Sequence, residues 1–312
     1  MGEGYGFGKV ILFGEHFVVY GLPGIVAALG DKTIAKVERI KGEDYELIDN
    51  RPETPGYKKT KVEEQKKSMD YIFKATGIDP KKTPVKITLS GNLVAASGVG
   101  ASAASCAAIA RALNEEFSLG FDEEKINGIA YEGEKGYHGE APSGIDNTAA
   151  TFGGVLSFKK NLQGGSPFFE KISIGKPFEI VLADTGITSS TSTVVGDVKK
   201  MKESDPKKFE KIFAEYNQIF ESAKKAIEEG NLKRLGQTME KNQKLLQEIT
   251  VSCKELEQLI EIAKSNGALG AKLTGTGRGG LMYALTPGKN TQEKVAKTIE
   301  GKGFRVFKTI VG

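Results

Sequence analysis

Residues 98–103, GVGASA, lead directly into the alanine-rich run ASCAAIARAL. A glycine turn that feeds a helix leaves the first helical N–H groups unpaired. It also adds the positive end of the helix dipole and keeps bulky side chains away from a ligand, and those properties together suit a phosphate. A second glycine loop, GTGRGG at 275–280, sits between two strand-like runs, where its backbone can press closely on a neighbour. No Gly-x-x-x-x-Gly-Lys-Ser/Thr pattern occurs, which argues against a P-loop nucleotidase. GVGASA fits the loose dinucleotide fingerprint, but a second helical stretch follows where that reading needs a strand ending in an acid. Both histidines, His16 in GEHFVVYG and His138 in EKGYHGE, lie inside glycine-rich stretches, too far apart in sequence to suggest a metal pair. Cys106 and Cys253, the only two cysteines, lack metal spacing and indicate no disulfide framework, so a reducing compartment is expected.

These groups must be carried on regular elements. The first half reads as β-rich runs, KVILF, GIVAALG, TIAKVERI, YELID and VKITLSG, followed by helices ASAASCAAIARALNEEF and DEEKINGIAYEGEKGY. TFGGVLSFKK and PFEIVLADTG read as strands again. Beyond residue 180 the chain turns helical: Phe209, Ile212, Phe213, Tyr216, Ile219, Phe220, Ala223 and Ile227 recur at steps of three and four, one buried helix face. Ser252 and Glu255 suggest a capping box for a helix that ends at Gly267. Strand-like GALGAKLTG and GGLMYAL, one more helix and FRVFKTIV close the chain.

The 312 residues suffice for two domains, and a boundary is placed near residue 180. The formal charge is only +4, and lysines alternate with glutamates as in KKTKVEEQKK, a solvated surface rather than a nucleic-acid patch. No apolar run reaches membrane-spanning length, and the first residues lack the layout of a signal peptide or a myristoylation site, so a cytoplasmic location is expected.

Four stretches, GFGKVILFGEHFVVYG (6–21), SGVGASAAS (97–105), GEKGYHGEAPSGIDNTAATFGG (133–154) and GAKLTGTGRGG (270–280), together resemble the GHMP family of small-molecule kinases. The resemblance covers essentially the whole chain. Its first and third stretches are similar to those of members that phosphorylate the C5 hydroxyl of (R)-mevalonate, giving 5-phosphomevalonate and ADP in isoprenoid synthesis. It implies an α+β, two-domain GHMP kinase fold. Residues 1–180 would form an ATP-binding half like domain 2 of ribosomal protein S5, and residues 181–312 a ferredoxin-like half. ATP and Mg²⁺ are implied as cofactors, competition by prenyl diphosphates and a homodimer as further properties, and no nucleic acid or membrane as partner.

A kinase must neutralise a triphosphate, place Mg²⁺ and aim a hydroxyl at the γ-phosphorus. The resemblance assigns Gly98, Gly100, Ala101, Ser102 and Ala103 to the phosphates, and Gly275, Gly277, Arg278 and Gly279 to a loop over nucleotide and substrate. Ser102 is the implied magnesium-side hydroxyl and Glu134 the metal carboxylate, with Glu132 as the alternative; one carboxylate and one hydroxyl suit an ion that keeps most of its waters. Asp146 is the candidate base or hydroxyl-orienting acid. Lys9 would hold it ionised and stabilise charge on the transferred phosphate. His16 is the implied mevalonate contact, with Ser143 and Thr191 also on the acceptor side. Glu15 is counted on the acceptor side too, though it reads more as a structural acid, His138 reads as a loop-shaping residue, and Lys272 and Thr274 as strand residues at the entrance to the loop.

The chain departs from the family pattern in three places. Ala101 replaces a serine, and Arg278 stands where most relatives have glycine, facing either a phosphate, the preferred partner, or a neighbouring carboxylate. GEAPSG is one residue longer than usual. Two other readings stay open: a different acceptor such as phosphomevalonate or a sugar, and a non-catalytic ligand sensor, which would be expected to lose Lys9, Ser102 or Asp146.

Overall fold

The structure is a computed structural model that describes residues 1–53, 56–95, 98–139, 142–163 and 167–312. Ser97, at the head of the first glycine stretch, and two residues of GEAPSG lie outside the described residues. The chain forms two compact units, Met1–Val10 with Ala28–Gly153, and Ile11–Ala27 with Gly154–Gly312. The division therefore falls at Gly153, and residues 11–27 join the second unit, in place of one cut near residue 180.

In the first unit, the early part of β1 (Gly2–Phe13) and the later part of β2 (Pro23–Arg39) are joined by β3 (Glu46–Asp49) and β4 (Val85–Gly91). GIVAALG and TIAKVERI, read as separate strands, are one continuous β2. It pairs antiparallel with β4, Thr33 opposite Gly91 through Arg39 opposite Val85, and β3 adds to β4 in parallel. A parallel pair needs a crossover, and α1 (Tyr57–Thr60) and α2 (Val62–Thr76) supply it. The charged run here gave no helical expectation, yet α2 buries Met69, Ile72 and Phe73 beneath its lysines.

Helices α3 (Ala101–Phe117), α4 (Glu123–His138) and α5 (Ile145–Phe152) complete the unit. The glycine alternation of GEGYGFG is explained by α3. A Cβ on Gly2, Gly4 or Gly6 would stand 2.2, 2.3 or 2.1 Å from the carbonyl oxygens of Ala112, Ala108 and Ala104. Two strand residues advance about 6.6 Å and four helical residues about 6.0 Å, so alternate glycines keep step with successive helical turns. Ala104, Ala108 and Ala112 are almost wholly buried, as this close approach requires. The start of α3 is thereby brought beside Lys9, whose N–H donates to the Val99 carbonyl at 2.8 Å.

In the second unit, β2 pairs through Pro23–Ala27 with β5 (Val155–Lys159), which pairs with β6 (Phe168–Ile172). A second sheet runs β10 (Arg305–Val311), β7 (Phe178–Asp184), β9 (Leu281–Thr286), β8 (Gly270–Thr274), all antiparallel. Chain order strand, helices, strand, strand, helix, strand with this spatial order is the ferredoxin-like arrangement. Helices α6 (Thr191–Ser204), α7 (Pro206–Glu228), α8 (Leu232–Glu248), α9 (Lys254–Ser265) and α10 (Lys289–Glu300) accompany it. Most of the apolar stripe of α7 is buried, with Tyr216 stacked on Phe17 at 4.0 Å and donating to the Pro23 carbonyl at 2.8 Å. Helix α8 covers the outer edge of β8: Gly236 meets Gly270 backbone to backbone, and the Gln243 side-chain oxygen accepts the Leu273 N–H at 3.0 Å. The Gln243 bond satisfies one edge N–H of β8, and the glycine contact lets the helix cover that edge closely.

The capping-box expectation for α9 is corrected. Its N-cap is Cys253, without a side-chain cap, and Ser252 instead bonds Glu257 and Gln243. TFGGVLSFKK is likewise divided, its first two residues ending α5 and β5 beginning at Val155. Among the described residues, no helix is long and apolar enough to cross a membrane.

Candidate active site

The first unit gathers Lys9, Ser102, Glu134 and Asp146 from four separate elements. Lys9 lies near the middle of β1, Ser102 in the first turn of α3, Glu134 in the last turns of α4 and Asp146 in the first turn of α5. The Lys9 Nζ stands 3.1 Å from Asp146 Oδ1, with the lysine nearly buried and the aspartate partly open to solvent. A Cβ on Gly100 would stand 2.7 Å from Lys9 Cγ, so the glycine turn is also what lets the lysine pass.

Gly98 and Gly100 both have positive φ, +75° and +73°, and Gly100 caps α3 without a side-chain hydrogen bond. The N–H groups that open α3 therefore carry no side-chain cap from Gly100. Ala103 is fully buried, backbone included, so of the residues assigned to the phosphates in the first turn of α3 it is Ala101 and Ser102 that remain partly open.

Glu134 is almost completely buried, and burial pushes its carboxyl up to about 8, with the Asp146 charge adding to the rise and the Ser102 hydrogen bond and Lys9 opposing it. Its Oε1 has no hydrogen-bond partner among the described residues. A buried carboxyl oxygen without a partner, beside a serine hydroxyl, is a donor set that Mg²⁺ would fit on displacing the carboxyl proton, since this ion takes few protein oxygens and keeps its waters. Among the described residues no cluster of three or more His, Cys, Asp or Glu could hold a metal, so such an ion would draw its other oxygens from elsewhere. Glu132, the alternative carboxylate, pairs instead with Lys135 at 2.8 Å. The Nε2 of His138 lies 3.5 Å from Glu134 Oε2, so this histidine touches the acid as well as ending α4. Ser143 is exposed ahead of α5 and its hydroxyl accepts the Ile145 N–H at 3.4 Å.

Sequence reading missed Arg51. Its guanidinium is buried, pairs with Asp49 at 2.7 Å, and donates to the Ala101 carbonyl at 3.1 Å and to Ser105 Oγ at 2.5 Å. It thus ties the β3 end to the first turn of α3. A single arginine in DNRPE carries no local signal of this.

In the second unit, Glu15 and Lys272 form an ion pair at 2.6 Å with both side chains fully buried, and Lys272 also donates to the Leu273 carbonyl. Burial lowers the lysine's pKa and Glu15 opposes this. Glu15, named with the acceptor-side residues, is thus committed to Lys272, and Lys272 is more than a strand residue. His16 has φ +63° and its Nε2 lies 2.7 Å from the Thr276 carbonyl. Only a protonated Nε2 can donate there, so in the neutral ring Nδ1 is an acceptor. Nδ1 is buried with no partner among the described residues, and burial lowers the ring's pKa, which favours this neutral form.

The 275–280 loop is held tightly on both sides. A Cβ on Gly277 would stand 2.1 Å from the Val251 carbonyl and one on Gly279 2.6 Å from that of Ile187. Thr191 Oγ1 lies 2.9 Å from Thr276 Oγ1. Arg278 departs from the preferred expectation: its guanidinium lies on the Asp197 carboxylate at 2.6 Å, the alternative partner, because α6 brings that acid alongside the loop.

Comparison with known proteins agrees with this arrangement. Residues 65–154 match the GHMP kinases N terminal domain and residues 223–304 the GHMP kinases C terminal family. Mevalonate kinase of Pyrococcus abyssi is 32% identical over 94% of this chain and 91% of its own length. That of Aeropyrum pernix is 34% identical over 89% and 86%. The crystal structure of L. major mevalonate kinase in complex with R-mevalonate superposes with a TM-score of 0.94 at 39% identity, covering 100% of this chain and 96% of that one. With both kinase halves matched in order and relatives aligned nearly end to end, the chain belongs to the mevalonate kinase family of GHMP kinases.

Proposed function

We propose that this protein transfers the γ-phosphate of ATP to the C5 hydroxyl of (R)-mevalonate, releasing 5-phosphomevalonate and ADP. The observation that carries the reading is the likeness, over the whole chain, to the L. major enzyme whose structure contains R-mevalonate. The Lys9–Asp146 pair beside the start of α3 supports it. The uncapped N–H groups of Ala101 and Ser102 would receive phosphate oxygens. Asp146 would align the acceptor hydroxyl or take its proton, and Lys9 beside it would stabilise charge developing on the transferred group. Ser102 and Glu134 would hold Mg²⁺, which when bound neutralises phosphate charge. His16 Nδ1, an acceptor by its tautomer, suits a hydroxyl of the substrate. The two halves are assigned accordingly, the first unit to the nucleotide and the second mainly to the acceptor.

The test is ADP release with Mg·ATP and mevalonate, phosphomevalonate, galactose or homoserine. Turnover on mevalonate alone is expected. Preference for another acceptor would replace the substrate, and ATP binding without turnover on any would favour a sensor. Competition by prenyl diphosphates against ATP, a homodimer on sedimentation and a cytoplasmic location belong to the same proposal.

A further inference from the structure

Arg278 and Thr250 are both held with positive φ, +52° and +62°, although neither is glycine and Thr250 is β-branched. Such conformations are costly and persist only where surrounding contacts impose them. Here the contacts are mutual. The Arg278 N–H donates to the Val251 carbonyl at 2.7 Å, its Nε to the Thr250 carbonyl at 3.0 Å and its Nη2 to Thr250 Oγ1 at 3.3 Å. The remaining arm, Nη1, reaches Asp197 Oδ2 at 2.6 Å. One guanidinium therefore spans the α8–α9 turn and helix α6 from a position inside the glycine loop.

Helix α6 is held to the same loop at its start as well. Thr191 meets Thr276, Ser189 Oγ donates to the Gly277 carbonyl at 2.6 Å, and Gly280 N–H donates to the Ile187 carbonyl at 2.8 Å. Thr191 and Asp197 are six residues apart, about 9 Å along a helix. Two attachments that far apart fix the helix's direction, whereas the attachment at Thr191 alone would let it pivot.

We propose that Arg278 is a positioning residue, a strap that acts through Asp197 and Thr250 to set α6 and the glycine loop together. In this way it would place Thr191 and the Thr276 carbonyl that orients His16. The assignment of those groups to the acceptor rests on the kinase reading above. The strap itself does not touch substrate. Its arginine serves a carboxylate of the same chain in place of a phosphate of the nucleotide.

The test is a double-mutant cycle in the full chain with Arg278→Gly, Asp197→Asn and the pair combined. Glycine accepts the positive φ, so this change removes the guanidinium without straining the backbone. Each single variant is expected to raise KM for mevalonate about three- to fivefold with kcat nearly unchanged, and the double variant no further, because both remove one interaction. Additive effects overturn the proposal. So does an Asp197→Asn variant of normal KM beside an Arg278→Gly variant with raised KM for ATP, the signature of direct phosphate contact. Amide exchange over 185–191 and 275–280, measured without ligand, must quicken in both single variants, and unchanged exchange also overturns it. If the wild type fails to turn over mevalonate, the kinase reading falls while the exchange result still decides the strap.

Discussion

A carboxylate that receives a proton in a reaction must be charged before it and close to the hydroxyl. Asp146 stands 3.1 Å from Lys9, and the small residues around it in PSGIDN leave room for a hydroxyl to approach. Asp146→Asn keeps the shape and removes the carboxylate proposed to orient or deprotonate the acceptor. Turnover is expected to fall about 10²- to 10⁴-fold, the usual worth of general acid–base help, while titration with nucleotide gives an unchanged Kd. Near-normal turnover would mean that the acid is misassigned. Glu134 differs from Asp146 in being almost wholly buried, with its carboxyl pushed up to about 8, so a cation bound there would have to displace its proton.

At the scale of elements, α3 is fixed along its length by β1 and at its first turn by Arg51. Gly4→Ala would place a methyl 2.3 Å from the Ala108 carbonyl and 2.5 Å from the Ala112 nitrogen. Overpacking of this sort costs about 1–3 kcal/mol, so the melting temperature should drop, and an unchanged melt would show that β1 can move away from α3 at little cost. The Arg51 anchor is sensitive to acid. Burial raises the Asp49 carboxyl, but hydrogen bonds and charge from Arg51, aided by Lys58, outweigh it and hold the pKa below its ordinary value of 3.8. A depressed folded pKa contributes stability that is fully present above the unfolded value and is lost as pH falls through the folded one. Thermal melts from pH 5 down to pH 2.5 should therefore fall more steeply for the native protein than for Asp49→Asn, and parallel curves would show that the pair contributes nothing.

For the whole molecule, binding of nucleotide should stabilise the fold by mass action. Mg·ATP at ~100 times its Kd is expected to contribute about 2.7 kcal/mol, read as a rise in melting temperature that follows concentration. A melt indifferent to Mg·ATP would mean that the folded chain does not bind it. Much of the architecture is legible from residues alone. The α3 and α4 helices, the buried stripe of α7 and most strands follow from local periodicity, because a helix or strand face announces itself within one or two turns. The family, the glycine loops and the Lys9–Asp146 pairing follow from short motifs. Helix α2 was hidden by its charges, and Arg51, the Glu15–Lys272 pair and the partner of Arg278 join residues 50, 257 and 81 positions apart. Even the alternating glycines of GEGYGFG are readable as a pattern but not as a purpose, since the helical carbonyls that exclude a Cβ come from more than 90 residues further along. The sequence by itself determined most of the helices, strands and glycine turns, and what chemistry its motifs can carry. Only the tertiary structure decided which buried charges meet, because that choice depends on distances set by packing and leaves no periodic trace along the chain.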